Sequence, residues 1–212
     1  MKISLLLIVL GSFYLGGCAT TQPYDYSALI EARPRSILVI PPLNHSVEVN
    51  APYIYISTIS RPLAEKGYYV FPVAMIDSFL KENGLPTPGE MNSIPLDKIR
   101  EHIGADAVLY VTINQWGQKY QVVSSQAVVN ADLKLVDTRT GKILWTAKAY
   151  AVQQSDNSNS GLAGLLIKAV VEQVAGSIVD QTPQLSRLAN DTAINQPGRG
   201  LLPGPYAPVE KK

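Results

Sequence analysis

The chain reads as an α/β domain with an α+β tendency: a mixed sheet of about five strands, built from an N-terminal βαβα segment, an antiparallel meander and a C-terminal helix. Three observations carry this. A wholly apolar run, Ile37-Leu38-Val39-Ile40, lies between Pro34 and Pro41-Pro42, the pattern of a strand buried on both faces. Helical stretches then alternate with short apolar strands as far as Gly104. Beyond Gly104 the apolar period changes to two around a turn-forming string, Asp137-Thr138-Arg139-Thr140-Gly141-Lys142, which marks a hairpin.

The elements follow in order. The run at 37–40 should be central in the sheet. Pro52 sits where a first helical turn tolerates it, and Tyr53, Ile56, Ile59 and Leu63 recur at helical spacing until Gly67 stops the segment. Residues 68–73 form a second strand, 74–82 a helix closed by Asn83-Gly84, and 96–102 a third helix stopped by Gly104. Such crossovers bring strands together in parallel. Residues 107–111 make the next strand, Trp116-Gly117-Gln118 a turn, and 122–136 a strand whose Val129, Ala131, Leu133 and Leu135 share one face. Ile143, Trp145, Ala147 and Ala149 alternate on the return. A last helix over 162–179 carries Leu162, Leu165, Leu166, Ala169, Val170 and Val174, a broad apolar stripe to lay over the sheet.

The ends read differently. Met1-Lys2 and the apolar run 3–10 have the shape of an export signal, too short to span a bilayer, which takes roughly 20 apolar residues. The run closes on Leu15-Gly16-Gly17-Cys18, which resembles the bacterial lipobox. That chemistry requires a thiol nucleophile. Residues 1–17 are therefore expected to be a signal peptide, Cys18 the lipidated residue, 18–34 a tether, 35–182 a single globular domain and 183–212 a Pro/Gly-rich disordered tail. Cys18 is the only cysteine, so the exported domain must stand on its hydrophobic core without a disulfide. Ala19 rather than aspartate after the cysteine implies, by resemblance to Gram-negative lipoproteins, sorting to the outer membrane.

Charge excludes one class of partner. The 18 Lys and Arg balance 17 Asp and Glu for a formal +1, and the basic residues are scattered singly, so nothing suggests nucleic-acid binding. The apolar fraction of 46% suits one globular domain.

Four strings together carry a family resemblance: Arg33-Pro34-Arg35-Ser36-Ile37-Leu38-Val39-Ile40-Pro41-Pro42-Leu43-Asn44, Pro62-Leu63-Ala64-Glu65-Lys66-Gly67-Tyr68-Tyr69-Val70, Gly104-Ala105-Asp106-Ala107-Val108-Leu109-Tyr110, and the turn at 137–142. They resemble the lipoprotein family typified by a neisserial genome-derived antigen. The resemblance implies a fold like the N-terminal domain of TolB, and genes beside relatives of CsgG, the curli export pore lipoprotein. It therefore implies an accessory of outer-membrane export facing the periplasm.

Catalytic patterns are weak. His45 and His102 lack metal-ligand spacing, His45 fits a solvent-facing loop, and His102 fits a helix C-terminus complementing the dipole. The Asn44-His45-Ser46 sequon means little in bacterial export. Ser124-Ser125 and the serines of 155–160 form no nucleophile elbow. Ser160-Gly161-Leu162-Ala163-Gly164 lacks the lysine of a phosphate loop. Asp132 and Asp137 suit a strand surface and a turn. No enzyme, metal or cofactor is expected. The expected role is a non-catalytic interaction protein, presenting a sheet edge, the 41–51 loop or the last helix to a protein partner. The alternative is a module for a small molecule or peptidoglycan, since α/β sheets hold ligands beyond their strand ends. The excess apolar surface of 162–179 predicts a homodimer or a docked partner at Leu162, Leu166, Val170 and Val174.

Overall fold

A computed structural model describes residues 22–120, 125–154 and 180–208. Its elements are α1 (Ser27–Ala32), β1 (Ser36–Val39), β2 (Leu43–Asn44), α2 (Ala51–Glu65), β3 (Tyr69–Val70), α3 (Val73–Glu82), α4 (Pro88–Asn92), α5 (Leu96–His102), β4 (Ala107–Tyr120), β5 (Ser125–Asp137), β6 (Ile143–Gln154) and α6 (Thr182–Asn195). The sheet runs β3-β1-β4-β5-β6, with β2 continuing the line of β1 along β4. It is mixed, as the period change predicts. β1 pairs in parallel with β3 and β4, whereas β4, β5 and β6 are antiparallel. It holds six strands rather than five, because Leu43 and Asn44 after Pro41-Pro42 re-join Thr112 and Ile113.

β1 is buried on both faces because its side chains alternate between two cores. Ile37 and Val39 enter a large core with Tyr55, Ile59 and Leu63 of α2 and Leu185, Ala189 and Ala193 of α6. Leu38 and Ile40 enter a smaller one with Ile76, Leu80, Met91 and Ile99 from α3, α4 and α5. The parallel part of the sheet is thus covered on both sides. In the middle of β5 the burial alternates: Val129, Ala131, Leu133 and Leu135 are buried while Asp132 and Lys134 are exposed.

Several expectations need correction. Trp116-Gly117-Gln118 is no turn, for these residues pair with Val129, Val128 and Ala127 inside the β4/β5 ladder. A strand glycine at φ 123 keeps its place when thirteen cross-strand pairs outweigh local turn preference. A bulge between Ile113 and Gln115 resets the alternation and turns Trp116 into the core. A second irregularity, between Leu135 and Val136, leaves Ile143 54% exposed although Trp145 is fully buried. Helix α4 was not foreseen, yet Thr87-Pro88-Gly89-Glu90 is a capping box: Thr87 Oγ1 accepts from the Glu90 amide while the Glu90 side chain accepts from the Thr87 amide.

The ends belong to the fold over most of their length. The expected tether at 18–34 packs from Tyr24 onward: the Thr146 amide donates to the Tyr24 hydroxyl at 2.8 Å, Leu29 of α1 is buried, and Arg33 ends that helix in the left-handed conformation at φ 44. The expected disordered tail at 183–212 begins instead with α6, whose Leu185, Ser186, Ala189, Asn190, Ala193 and Ile194 are buried. Asp180 Oδ1 fixes its start by accepting from the Thr182 amide at 2.9 Å and hydroxyl at 2.7 Å. A strap over 196–208 follows, held by aromatic donors: Tyr26 to Gly200 O at 2.6 Å, Tyr68 to Leu202 O at 2.8 Å, and Trp145 Nε1 to Arg199 O at 2.9 Å. A count of apolar side chains misses an attachment made by backbone carbonyls. The helix expected at 162–179, with Leu162, Leu166, Val170 and Val174, and the lipobox with Cys18 lie outside the described residues.

Candidate functional site

The chain leaves β1 toward one face of the sheet, to α2, and leaves β3 toward the other, to α3. A crevice opens where such connections diverge, beyond the carboxyl ends of the strands. Here it holds a cleft of about 470 Å³, lined by Pro41 after β1, by Pro52, Tyr53, Ile56 and Ser57 of α2, by Val73, Ala74, Asp77 and Lys81 of α3, and by Val49, Pro86, Pro88 and Met91. This is within the usual size of ligand pockets.

Local chemistry sets each wall. On α2 the stripe Tyr55, Ile59, Leu63 goes to the core, and Thr58 faces α6, where its hydroxyl lies 2.7 Å from that of Ser186 and accepts from Asn190 Nδ2 at 3.0 Å. The expected stripe therefore divides. Ile59 and Leu63 are core, whereas Ile56 is half-buried and Tyr53 is 59% exposed on the cleft side. α2 carries apolar residues on more of its circumference than one sheet face needs, and that surplus was the available sequence signal for the site. α4 is stapled to the end of β1 by Asn92 Nδ2, which donates to Pro41 O at 2.9 Å. Met91 is thereby fixed in the floor, 1% exposed.

The one pair of charges in the lining neutralises itself. Lys81 Nζ donates to Asp77 Oδ2 at 2.6 Å one helical turn away and lies 5.6 Å from the centre of the Tyr53 ring. The hydrogen bond it donates to Asp77 pushes the Lys81 pKa up. That shift takes Lys81 away from the working pH that proton transfer favours.

The 41–51 loop forms the rim and is built by its own polar side chains. Asn44 Oδ1 accepts from the Ser46 amide at 3.0 Å and hydroxyl at 2.7 Å, and Asn44 Nδ2 donates to Glu48 O at 2.8 Å. The Glu48 side chain accepts from the Asn50 amide at 3.2 Å. This scaffold holds Val47 and Val49 outward, 98% and 77% exposed. Two apolar side chains are thus exposed on the rim loop.

The other candidates do not converge on the cleft. His45 is an exposed loop residue, and His102 is the exposed last residue of α5, 3.8 Å from the Glu101 carboxylate. Asp132 lies on the wet sheet face with Lys148 and Asn114. Asp137 is buried in the hairpin turn. Five residues of extended strand put these carboxyls about 17 Å apart, beyond an acid/base pair. Among the described residues no group of three His, Cys, Asp or Glu could hold a metal, and no helix is long and apolar enough to cross a membrane.

The described residues thus form a mixed sheet with an apolar cleft at its parallel end. Residues 24–206 match the family described as "Putative lipoprotein GNA1162-like", and the chain belongs to that family. A Neisseria meningitidis lipoprotein, NMB1124/NMB1162, is 41% identical over 183 residues, which cover 86% of this chain and 85% of the relative. The crystal structure of lipoprotein GNA1162 from Neisseria meningitidis matches at a TM-score of 0.55 and 42% identity, covering 60% of this chain and 88% of that one. A PelC dodecamer from Paraburkholderia phytofirmans matches at a TM-score of 0.47 and 15% identity, over 81% of this chain and 91% of that one, a likeness too loose to bear on function. The matched span confirms the family read from the four strings, and it includes α1, α6 and most of the strap.

Proposed function

We propose that this chain is a non-catalytic lipoprotein, anchored through Cys18, whose cleft and 41–51 loop receive an apolar segment of a partner protein in an envelope assembly. The observation that carries the reading is the cleft itself, whose walls are apolar apart from Ser57 and a self-paired Asp77 and Lys81. An apolar lining beside exposed valines suits a peptide's side chains better than a polar ligand. The finer assignment, to the periplasmic side of the outer membrane and to a CsgG-like export complex, rests on Ala19 and on the family resemblance.

A photo-reactive residue at Val49 in the lipidated protein, activated in native envelopes, should give a discrete protein adduct that Ile56→Glu removes without lowering the melting temperature. Sedimentation with cell-wall sacculi and no adduct would favour the alternative, a peptidoglycan or small-molecule module. The anchor is tested separately: Cys18→Ala should lose detergent partitioning and the lipid mass on the intact protein.

A further inference from the structure

The opposite end of the domain carries a surface that the cleft does not use. α1, the start of β1, the hairpin turn and the strap meet there. Arg139 donates to Ala32 O at 2.8 Å, Lys142 pairs with Glu31 at 3.1 Å, Arg35 donates to the Tyr206 hydroxyl at 3.0 Å, and the Arg199 guanidinium lies 5.7 Å from the centre of the Tyr24 ring. Arg33 is exposed, and Ile30, 54% exposed, borders a groove of about 280 Å³ with Arg33, Pro34, Leu202, Pro203 and Pro205. The acids are fewer at the surface. Asp106 is committed to the Arg35 and Ser36 amides, and Asp137 to Thr140 and Arg139. With Arg139 paired to Asp137 at 3.4 Å and Lys142 to Glu31, the exposed Arg33, Arg35 and Arg199 face solvent against Asp25.

Chain length ties this end to the anchor. Tyr24 is fixed against β6, and five residues lie between it and Cys18, a reach of about 20 Å even when fully extended. The cleft lies beyond the carboxyl ends of β1 and β3, and this face lies at their amino ends. We propose that the face formed by Ile30, Arg33, Arg35, Arg139, Arg199 and Tyr206 rests on the phospholipid headgroups of the membrane that holds the lipid. The guanidinium groups engage phosphates, Ile30 and Tyr206 enter the interfacial layer, and the cleft with its loop is turned away from the bilayer. This inference rests on lipidation of Cys18.

Tryptophan reporters at the two ends test it. Lipidated Ile30→Trp and Val47→Trp proteins are reconstituted in vesicles of phosphatidylethanolamine and phosphatidylglycerol carrying brominated acyl chains, with the wild type as background for Trp116 and Trp145. The expected result is a severalfold larger quenching increment at position 30 than at 47, abolished by Arg33→Glu with Arg199→Glu while the melting temperature and lipid mass persist. Equal quenching at both ends, more at 47, or none at 30 in a protein that carries the lipid mass overturns this inference alone. Absence of lipid mass overturns the anchor reading and this inference with it.

Discussion

The indole Nε1 of Trp145 donates to the carbonyl of Arg199 at 2.9 Å, which ties the most deeply buried aromatic of the meander to the strap that ends the fold. Trp145 is 0% exposed. Truncating a buried aromatic costs about 3 to 5 kcal/mol, a large share of a domain's roughly 5 to 15 kcal/mol. Trp145→Ala should therefore leave much of the population unfolded. Trp145→Phe keeps most of the packing and strands the Arg199 carbonyl, at about 1 to 2 kcal/mol. Urea unfolding of both variants checks the order, and an unchanged Trp145→Ala midpoint would mean that the residue is not core.

Gly67 tests the strap from its other side. Its φ is 90, and a Cβ there would be driven into the backbone of Ala207. The strap lies across it because Gly204 donates to Lys66 O at 2.8 Å and Tyr206 to Gly67 O at 3.0 Å. Gly67→Ala should cost about 1 to 3 kcal/mol through backbone strain and strap displacement. Amide exchange should rise in residues 200–207 more than in β4. A uniform rise would indicate global destabilisation only.

Much of this architecture was legible, and the misses share one cause. β1, the helix at 96–102 and the hairpin turn follow from patterns within a few residues: an apolar run, Gly104 at φ 80, Gly141 at φ 70. α6 and the strap escaped because their stability is non-local. The helix has few large apolar residues, and Ala189 and Ala193 count only because small side chains let it lie close to the sheet. Pro203, Gly204 and Pro205 look like a solvated chain until Tyr68 and Lys66 supply partners. Tyr53 and Ile56 share one helical stripe with Ile59 and Leu63 in the sequence, and only the packing of α2 separates its cleft side from its core side.

Asp137 gives the hairpin turn a pH dependence. Burial pushes its pKa up, but hydrogen bonds from Thr140 at 2.8 Å and the Arg139 amide at 3.2 Å, with the Arg139 charge, outweigh it and hold the carboxyl below its ordinary value. A carboxyl with a depressed folded pKa contributes stability that is present above its unfolded pKa of about 3.9 and is lost as pH falls through the folded value. Asp137→Asn should therefore lower stability near neutral pH by about 1 to 2 kcal/mol. The gap should narrow in acid. Melting curves from pH 7 to 3 check it, and a gap that is constant with pH would assign the loss to packing.

Asn44 offers the closest test of the cleft rim, because it builds the loop without lining the cavity. Its side chain makes three of the bonds that shape residues 44–48, and it is half-buried at the end of β2, a member of neither core. Losing these bonds at a partly solvated site costs about 1 kcal/mol, since water replaces some of them. Asn44→Ala should therefore leave the global unfolding midpoint close to that of the wild type. Exchange of the amides at 46–50 should accelerate, because the Ser46 amide loses its acceptor and Glu48 O its donor. If Val47 and Val49 dock a partner, the loop must then be ordered at the moment of binding, and the entropy of fixing each freed backbone residue is about 1 to 2 kcal/mol. Cross-link yield from a probe at Val49 should fall by at least tenfold, while yield from a probe on the wet sheet face at Lys134 stays at its own baseline. Faster exchange with an undiminished Val49 adduct would mean that the partner does not read the loop's fixed shape.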